Sequence, residues 1–185
     1  MNSRDLRAVQ HVKELTEMGI DSLKIEGRTK SAYYTARTTQ VYHRAILDAV
    51  EGRQFDMGMM DELEGLSNRG YTEGFYRRHP PKEYQNYEQG ASMSDRQQLV
   101  GEIKDINDRW LTIDVKNKFQ QGDLMELVMP SGNLTFELHE LINKEGNKTD
   151  VAPGSGHVVR IPIPEEVQPG ALDEFAMLVR YLPRQ

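Results

Sequence analysis

The chain has 185 residues and no cysteine. That excludes a disulfide, a thiol nucleophile and a cysteine-held cluster within these residues. Long apolar runs are missing too. No stretch approaches the roughly 18 residues that span a bilayer. The opening Met1-Asn2-Ser3-Arg4-Asp5 has none of the apolar core of a signal peptide. These absences predict a cytoplasmic protein with no membrane segment. Protease signatures are also lacking: there is no Gly-x-Ser-x-Gly elbow and no His-Glu-x-x-His helix. The five histidines (His11, His43, His79, His139 and His157) are scattered and form no paired metal-ligand motif. Apolar residues make up 37% of the chain, low for one compact core but too many for disorder.

The net charge of −6 is unevenly spread. Residues 1–45 hold eight Lys/Arg against five Asp/Glu, residues 46–93 five against nine, and residues 94–185 ten against fifteen. The acidic average argues against generic polyanion binding and leaves room for a local basic stripe.

Hydropathy divides the chain into three parts, 1–52, 53–93 and 94–185. In the first, Leu6, Val9, Val12, Leu15 and Met18 recur every three residues and predict an amphipathic helix. Asn2 or Ser3 would cap its start and Gly19 its end. Leu23 and Ile25 alternate with Lys24 and Glu26, which predicts a strand over 22–26. A second helix is expected from about Ser31 to Val50, with Tyr34, Val41, Ala45 and Ala49 on one face and Gly52 as its stop. Helix, strand, helix is a piece of an alternating β/α fold and cannot close one alone. The sequence therefore reads as the tail of a larger enzyme. Residues 53–93 predict a connector. Its short helix places Met59, Met60, Leu63 and Leu66 inward, and aromatics pin the remainder. From Leu99 the period becomes two. Leu111, Ile113 and Val115 alternate with Trp110, Thr112 and Asp114, and Pro130-Ser131-Gly132-Asn133 separates two strands as a hairpin turn. Five or six short strands predict a small closed β-barrel. The overall class is α+β.

The strongest chemical constellation is Lys24, Glu26, Arg28 and Lys30. Alternation places Lys24 and Glu26 on one strand face. Arg28 and Lys30 precede a helix N-terminus, whose free N–H groups favour anions. A guanidinium grips a carboxylate or phosphate bidentately. The same residues equally suit an interior salt bridge that braces the fold. Arg4 sits one β/α unit earlier, among residues that otherwise read as helix capping. Arg69, Arg77 and Arg78, interleaved with Tyr71, Phe75 and Tyr76, could hold RNA phosphates and bases or form a packed connector with a basic edge. Lys116 and Lys118 lie in a barrel loop that could meet RNA or be an ordinary surface turn.

Four ordered motifs carry a resemblance: Asn2-Ser3-Arg4-Asp5-Leu6, Ser22-Leu23-Lys24-Ile25-Glu26-Gly27-Arg28, Arg69-Gly70-Tyr71-Thr72-Glu73-Gly74-Phe75 and Ser94-Asp95-Arg96-Gln97. Together they resemble peptidase family U32, whose label is collagenase-like protease. The barrel pattern is also similar to the second domain of translational GTPases such as elongation factor Tu. The family resemblance implies that residues 1–52 complete a catalytic β/α barrel and that residues from about 94 form a C-terminal β-barrel domain. It implies a bacterial parent that hydroxylates the wobble uridine of tRNA at position 5, dependent on prephenate and on an iron–sulfur cluster. The chain itself carries no cofactor site, and alone it is expected to be inactive. Lys24, Glu26, Arg28, Lys30 and Arg4 would then face substrate or anion, and Arg69, Arg77, Arg78, Lys116 and Lys118 would touch RNA. Two alternatives stay open: the C-terminal domain of a U32-type peptidase, and a non-catalytic binding or assembly module. Residues 1–52 are expected to expose apolar surface and to favour self-association.

Overall fold

The structure, a computed structural model, describes residues 4–66, 71–74, 76, 97–107, 109–168, 170–173 and 175–182. The chain divides into two compact units, Met1–Asp95 and Arg96–Gln185.

In the first unit the apolar period of three yields less helix than expected. Strand β1 spans Asp5–Leu6, a 3-10 turn spans Val9–His11, and helix α1 spans only Val12–Glu17. Val9 and Val12 are buried, whereas Leu6 and Met18 are 63% and 75% exposed, so the buried stripe covers little more than one turn. Gly19 ends it with φ +81°, a conformation that costs glycine little. Asn2 and Ser3 lie outside the described residues, and the helix begins well beyond them.

Helix α2 spans Ala32–Val50 and α3 spans Gly58–Glu64. Ser31 caps α2: its Oγ accepts the Tyr34 N–H at 3.1 Å. Ser31→Ala should lower the stability of this unit by about 1 kcal/mol, read from thermal melts of helical circular dichroism. An unchanged melt would show that the cap contributes nothing. The buried face of α2 is Tyr33, Arg37, Thr38, Val41 and Ala45, so Tyr34 and Ala49 lie at its margin. Met59 and Leu63 of α3, with Leu66 just beyond it, are buried as predicted, and Met60 is half-buried.

Residues 22–26 form no strand. Alternation alone does not make one; the backbone needs a neighbour to pair with. The ladder that does form joins β1 to β2, Tyr71–Thr72, in parallel, with Asp5 opposite Tyr71 and Leu6 opposite Thr72.

The second unit is all β. Its strands are β3 (Gln97–Ile106), β4 (Trp110–Val115), β5 (Phe119–Gln120), β6 (Leu124–Val128), β7 (Leu134–Glu137), β8 (Ile142–Asn143), β9 (Val151–Ala152), β10 (Val158–Pro162) and β11 (Met177–Tyr181). Seven form one curled antiparallel sheet in the order β7-β6-β11-β3-β4-β10-β8, and β5 pairs with β9 separately. The mixed class and the barrel-like domain are as expected. The sheet is a half-barrel, not a closed one, because the edge strands β7 and β8 pair inward only. Leu111, Ile113 and Val115 are fully buried, as their alternation requires, in one core with Phe119, Met125, Leu127 and Leu178. The hairpin at 130–133 joins β6 to β7, with Leu127 opposite Leu134.

Candidate functional site

The first unit encloses a cavity of about 500 Å³. Three segments build it: β1 and the turn after it, the loop 20–30, and one face of α2, with Tyr71 and Tyr76 completing the wall. β1 supplies Asp5, whose Oδ2 meets Lys30 Nζ at 2.5 Å. Both side chains are about four-fifths buried, so this pair is far less screened than a surface one. Lys30 Nζ also lies 4.6 Å from the Tyr34 ring centroid, a cation–π contact. One residue beyond β1, buried Arg7 donates to Glu64 Oε1 at 3.0 Å and stacks its guanidinium 4.9 Å from the Tyr71 ring centroid. The Ala8 N–H donates to Tyr42 Oη at 2.9 Å.

Two tyrosines here hold their protons tightly. Burial, seconded by neighbouring Tyr34, pushes Tyr71 far above the usual phenol range, and its hydroxyl donates to the Leu63 carbonyl at 3.0 Å. Tyr42 is also raised by burial, against the opposing pull of the Ala8 N–H. A third feature stands beside the cavity: buried His11 stacks on Tyr76 with ring centroids 5.1 Å apart, its nitrogens 3.6 Å and 3.5 Å from the Glu14 and Glu73 carboxylates.

The predicted residues are distributed unevenly about this cavity. Lys24, Glu26 and Lys30 line it; Arg28 and Arg4 do not. Lys24 and Glu26 pair at 3.1 Å but are 84% and 66% exposed, so their mutual attraction is worth little. Arg28 is exposed in the turn that precedes α2, and Arg4 is half-buried. Arg69, Arg77 and Arg78 lie outside the described residues. In the second unit Lys116 is clamped by Glu102 and Asp114, each at 3.0 Å, and its ammonium is stabilised first by Glu102 and then by Asp114, which raises its pKa. Lys118 is exposed and forms no ion pair among the described residues. Asp5, Arg7, Thr38, Tyr42 and Tyr71 are wall residues that charge patterning missed. One signal could have found part of the set: Tyr34, Thr38 and Tyr42 are hydroxyl residues spaced by four, one stripe along a helix.

An iron–sulfur cluster does not fit these residues. The chain has no cysteine, and no group of three or more His, Asp or Glu among the described residues could hold a metal ion. No helix among them is long and apolar enough to cross a membrane.

Sequence profiles match both units. Peptidase family U32 matches residues 1–86, and the peptidase family U32 C-terminal domain matches residues 95–172. The chain belongs to peptidase family U32. It is 52% identical over 181 residues to the tRNA hydroxylation protein P of Escherichia coli (strain K12), which covers 97% of this chain and 39% of that protein. It is also 52% identical over 184 residues to the tRNA hydroxylation protein P of Haemophilus influenzae, over 98% of this chain and 39% of that one. The chain thus spans well under half the length of the curated relatives it matches. A crystal structure of the C-terminal domain of a Geobacillus thermoleovorans protein assigned to the U32 peptidases aligns with a TM-score of 0.40 and 21% identity, over 46% of this chain and 93% of that chain. The cavity lies within the segment matched by the first profile and the half-barrel within that matched by the second.

Proposed function

We propose that this chain is the C-terminal part of a bacterial enzyme that hydroxylates the wobble uridine of tRNA at position 5. The carrying observation is the 52% identity, across 97% of the chain, to a protein named for tRNA hydroxylation. In this reading the enzyme depends on prephenate and works in the cytoplasm, where its tRNA is. Hydroxylation adds an oxygen atom to a carbon of the base, and the redox step is assigned to the remainder of the parent protein. The residues of this chain bind and orient. Its cavity carries Lys24, Lys30 and Arg7, groups suited to a carboxylate. The half-barrel assists RNA binding or assembly with the catalytic domain. The exposed Leu6, Met18, Ile20 and Ile25 give the first unit an apolar surface suited to packing against that domain or against a second copy.

The test is tRNA binding by the 185-residue chain at low and moderate salt. Affinity should fall steeply with salt, as phosphate contacts require. Lys118→Ala should weaken binding and reduce the salt slope by about one. Lys116→Ala should do much less, because Glu102 and Asp114 already neutralise Lys116. Arg28→Ala reports whether the loop before α2 takes part. Absence of binding even at low salt would remove RNA recognition from this chain.

A further inference from the structure

Two arginines converge on one indole in the second unit. Trp110 opens β4, and the alternation that buries Leu111 and Ile113 turns Trp110, Thr112 and Asp114 to the face away from the core. Arg160 of β10 lies opposite Thr112, one pair along from Trp110 on the same face. Its Cζ stands 6.0 Å from the Trp110 ring centroid, and that of Arg109 stands 5.9 Å from it. Both guanidiniums are within cation–π range. The backbone fixes this group. Asn107 Oδ1 accepts from the Arg109 and Trp110 N–H groups at 3.3 and 3.0 Å, and the Ile163 N–H donates to the Arg109 carbonyl at 3.0 Å. Gly146, in the turn after β8, puts no side chain over Arg160; a methyl group there would lie 3.8 Å from its Nη2. Arg109 is exposed, and Trp110 and Arg160 are half-buried.

Charge sets the group apart. Residues 94–185 carry ten Lys/Arg against fifteen Asp/Glu. Other cations there are taken: Lys116 by Glu102 and Asp114, Lys148 by Glu140, and Arg180 by Asp123. Arg109 and Arg160 meet no carboxylate among the described residues. Two like charges brought to one ring, in a unit with acid to spare, call for an anion from outside. An acidic peptide would use the cations and leave the indole idle. A nucleic acid strand uses both, because flat bases alternate with phosphates. A duplex hides the faces of its bases, so the strand must be single. We propose that Trp110, Arg109 and Arg160 form a binding site for single-stranded RNA, with one base against the indole and the flanking phosphates on the guanidiniums. The proposal rests on the functional reading above in taking RNA as the polymer. The loop of Lys116 and Lys118 is a different place, at the other end of β4 and roughly 20 Å away along the strand.

The test uses the 185-residue chain, whose single tryptophan is Trp110. It is titrated with a short RNA single strand, with the same strand annealed to its complement, and with a short polyglutamate peptide. The single strand should bind and quench Trp110 fluorescence. The duplex and the peptide should bind about tenfold more weakly and leave the fluorescence unchanged. Trp110→Ala should weaken single-strand binding about tenfold, the scale of one stacked base, and Trp110→Phe should recover part of that loss. Arg109→Gln and Arg160→Gln should each weaken binding and lower the salt slope by about 0.7. Arg109 is exposed, so Arg109→Gln keeps the test decisive even if Trp110→Ala does not fold. The proposal is overturned if the single strand does not bind, or if its binding leaves Trp110 fluorescence unchanged. It is overturned too if the duplex or the peptide binds as well, or if both arginine variants keep full affinity and slope. Binding of tRNA that Trp110 fluorescence does not register would overturn this site and leave the tRNA reading standing. Binding and quenching by the single strand, without binding of tRNA, would do the reverse.

Discussion

Gly101→Ala is expected to destabilise the β unit by about 3 kcal/mol, at the upper end of ordinary overpacking costs. Gly101 lies in β3, opposite Val115 of β4 and Leu178 of β11, so its strand is paired on both sides. A methyl group there would come within 2.2 Å of Ile113 Cγ2 and 3.3 Å of the Asp114 carbonyl oxygen. Neither obstacle yields easily. Ile113 is fully buried in the core, its Cγ2 hangs directly from a branched Cβ, and the carbonyl belongs to the β4 backbone. The glycine backbone is not in the left-handed region, so the cost is steric and not conformational. A second substitution should therefore relieve it. Ile113→Ala alone should cost about 2–5 kcal/mol through the cavity it leaves, but the double variant should be more stable than the sum of the two predicts. Trp110 is the single tryptophan and sits in β4, so its fluorescence in a urea titration reports on this unit. A loss below about 1 kcal/mol, or strict additivity in the double variant, would show that β3 and β4 do not approach as closely as these contacts require.

That contact was not readable from the sequence, although most of its surroundings were. The alternation at Leu111, Ile113 and Val115 reported a buried face directly, because the two-residue period of a strand maps sequence onto sides. The helix expected from about Ser31 to Val50, with Gly52 as its stop, matches α2, since both ends are set by local hydrogen bonding and backbone freedom. Residues 22–26 show where such reasoning stops. Their alternation is as clean as that of β4, but a strand exists only where another strand meets it, and the ladder forms instead between Asp5–Leu6 and Tyr71–Thr72. Two residues are too few to show a period, and the partners are far apart in the chain. The cavity suffered the same loss. Lys24, Glu26, Arg28 and Lys30 were grouped by charge and proximity in sequence, whereas the structure ties Lys30 to Asp5 and leaves Arg28 off the wall. Long-range partners such as Arg7 with Glu64 and Tyr71 leave no local trace. The stripe Tyr34, Thr38, Tyr42 did leave one, but it was hidden because Tyr34 was counted with the apolar face of the helix.

The tyrosines of that cavity predict a specific response to alkali. A phenol whose folded pKa lies above its unfolded value of about 10 keeps its proton in the folded state after the unfolded state has lost it. The unfolded state then binds fewer protons, and stability falls as pH rises. The contribution is fully present below pH 10 and declines from there toward the folded pKa of each group. Tyr71 and Tyr42 both carry upward shifts caused first by burial. Each should therefore remove about 1.4 kcal/mol of stability per pH unit, together about 3 kcal/mol per unit, while both remain protonated in the fold. A slope of that size is large beside the stability of an ordinary domain. We expect the helical circular dichroism, which arises from the first unit, to collapse cooperatively in this range. Phenolate absorbance from Tyr71 and Tyr42 should appear with that collapse and not before it. Tyr71→Phe should make stability less dependent on pH. It should also cost about 1 kcal/mol at neutral pH, because the hydrogen bond to the Leu63 carbonyl is lost. The prediction fails if all eight tyrosines titrate smoothly near the ordinary value while the helices stay folded. In that event the wall around Tyr71 would be open to water, and the burial that raises its pKa would be absent in solution.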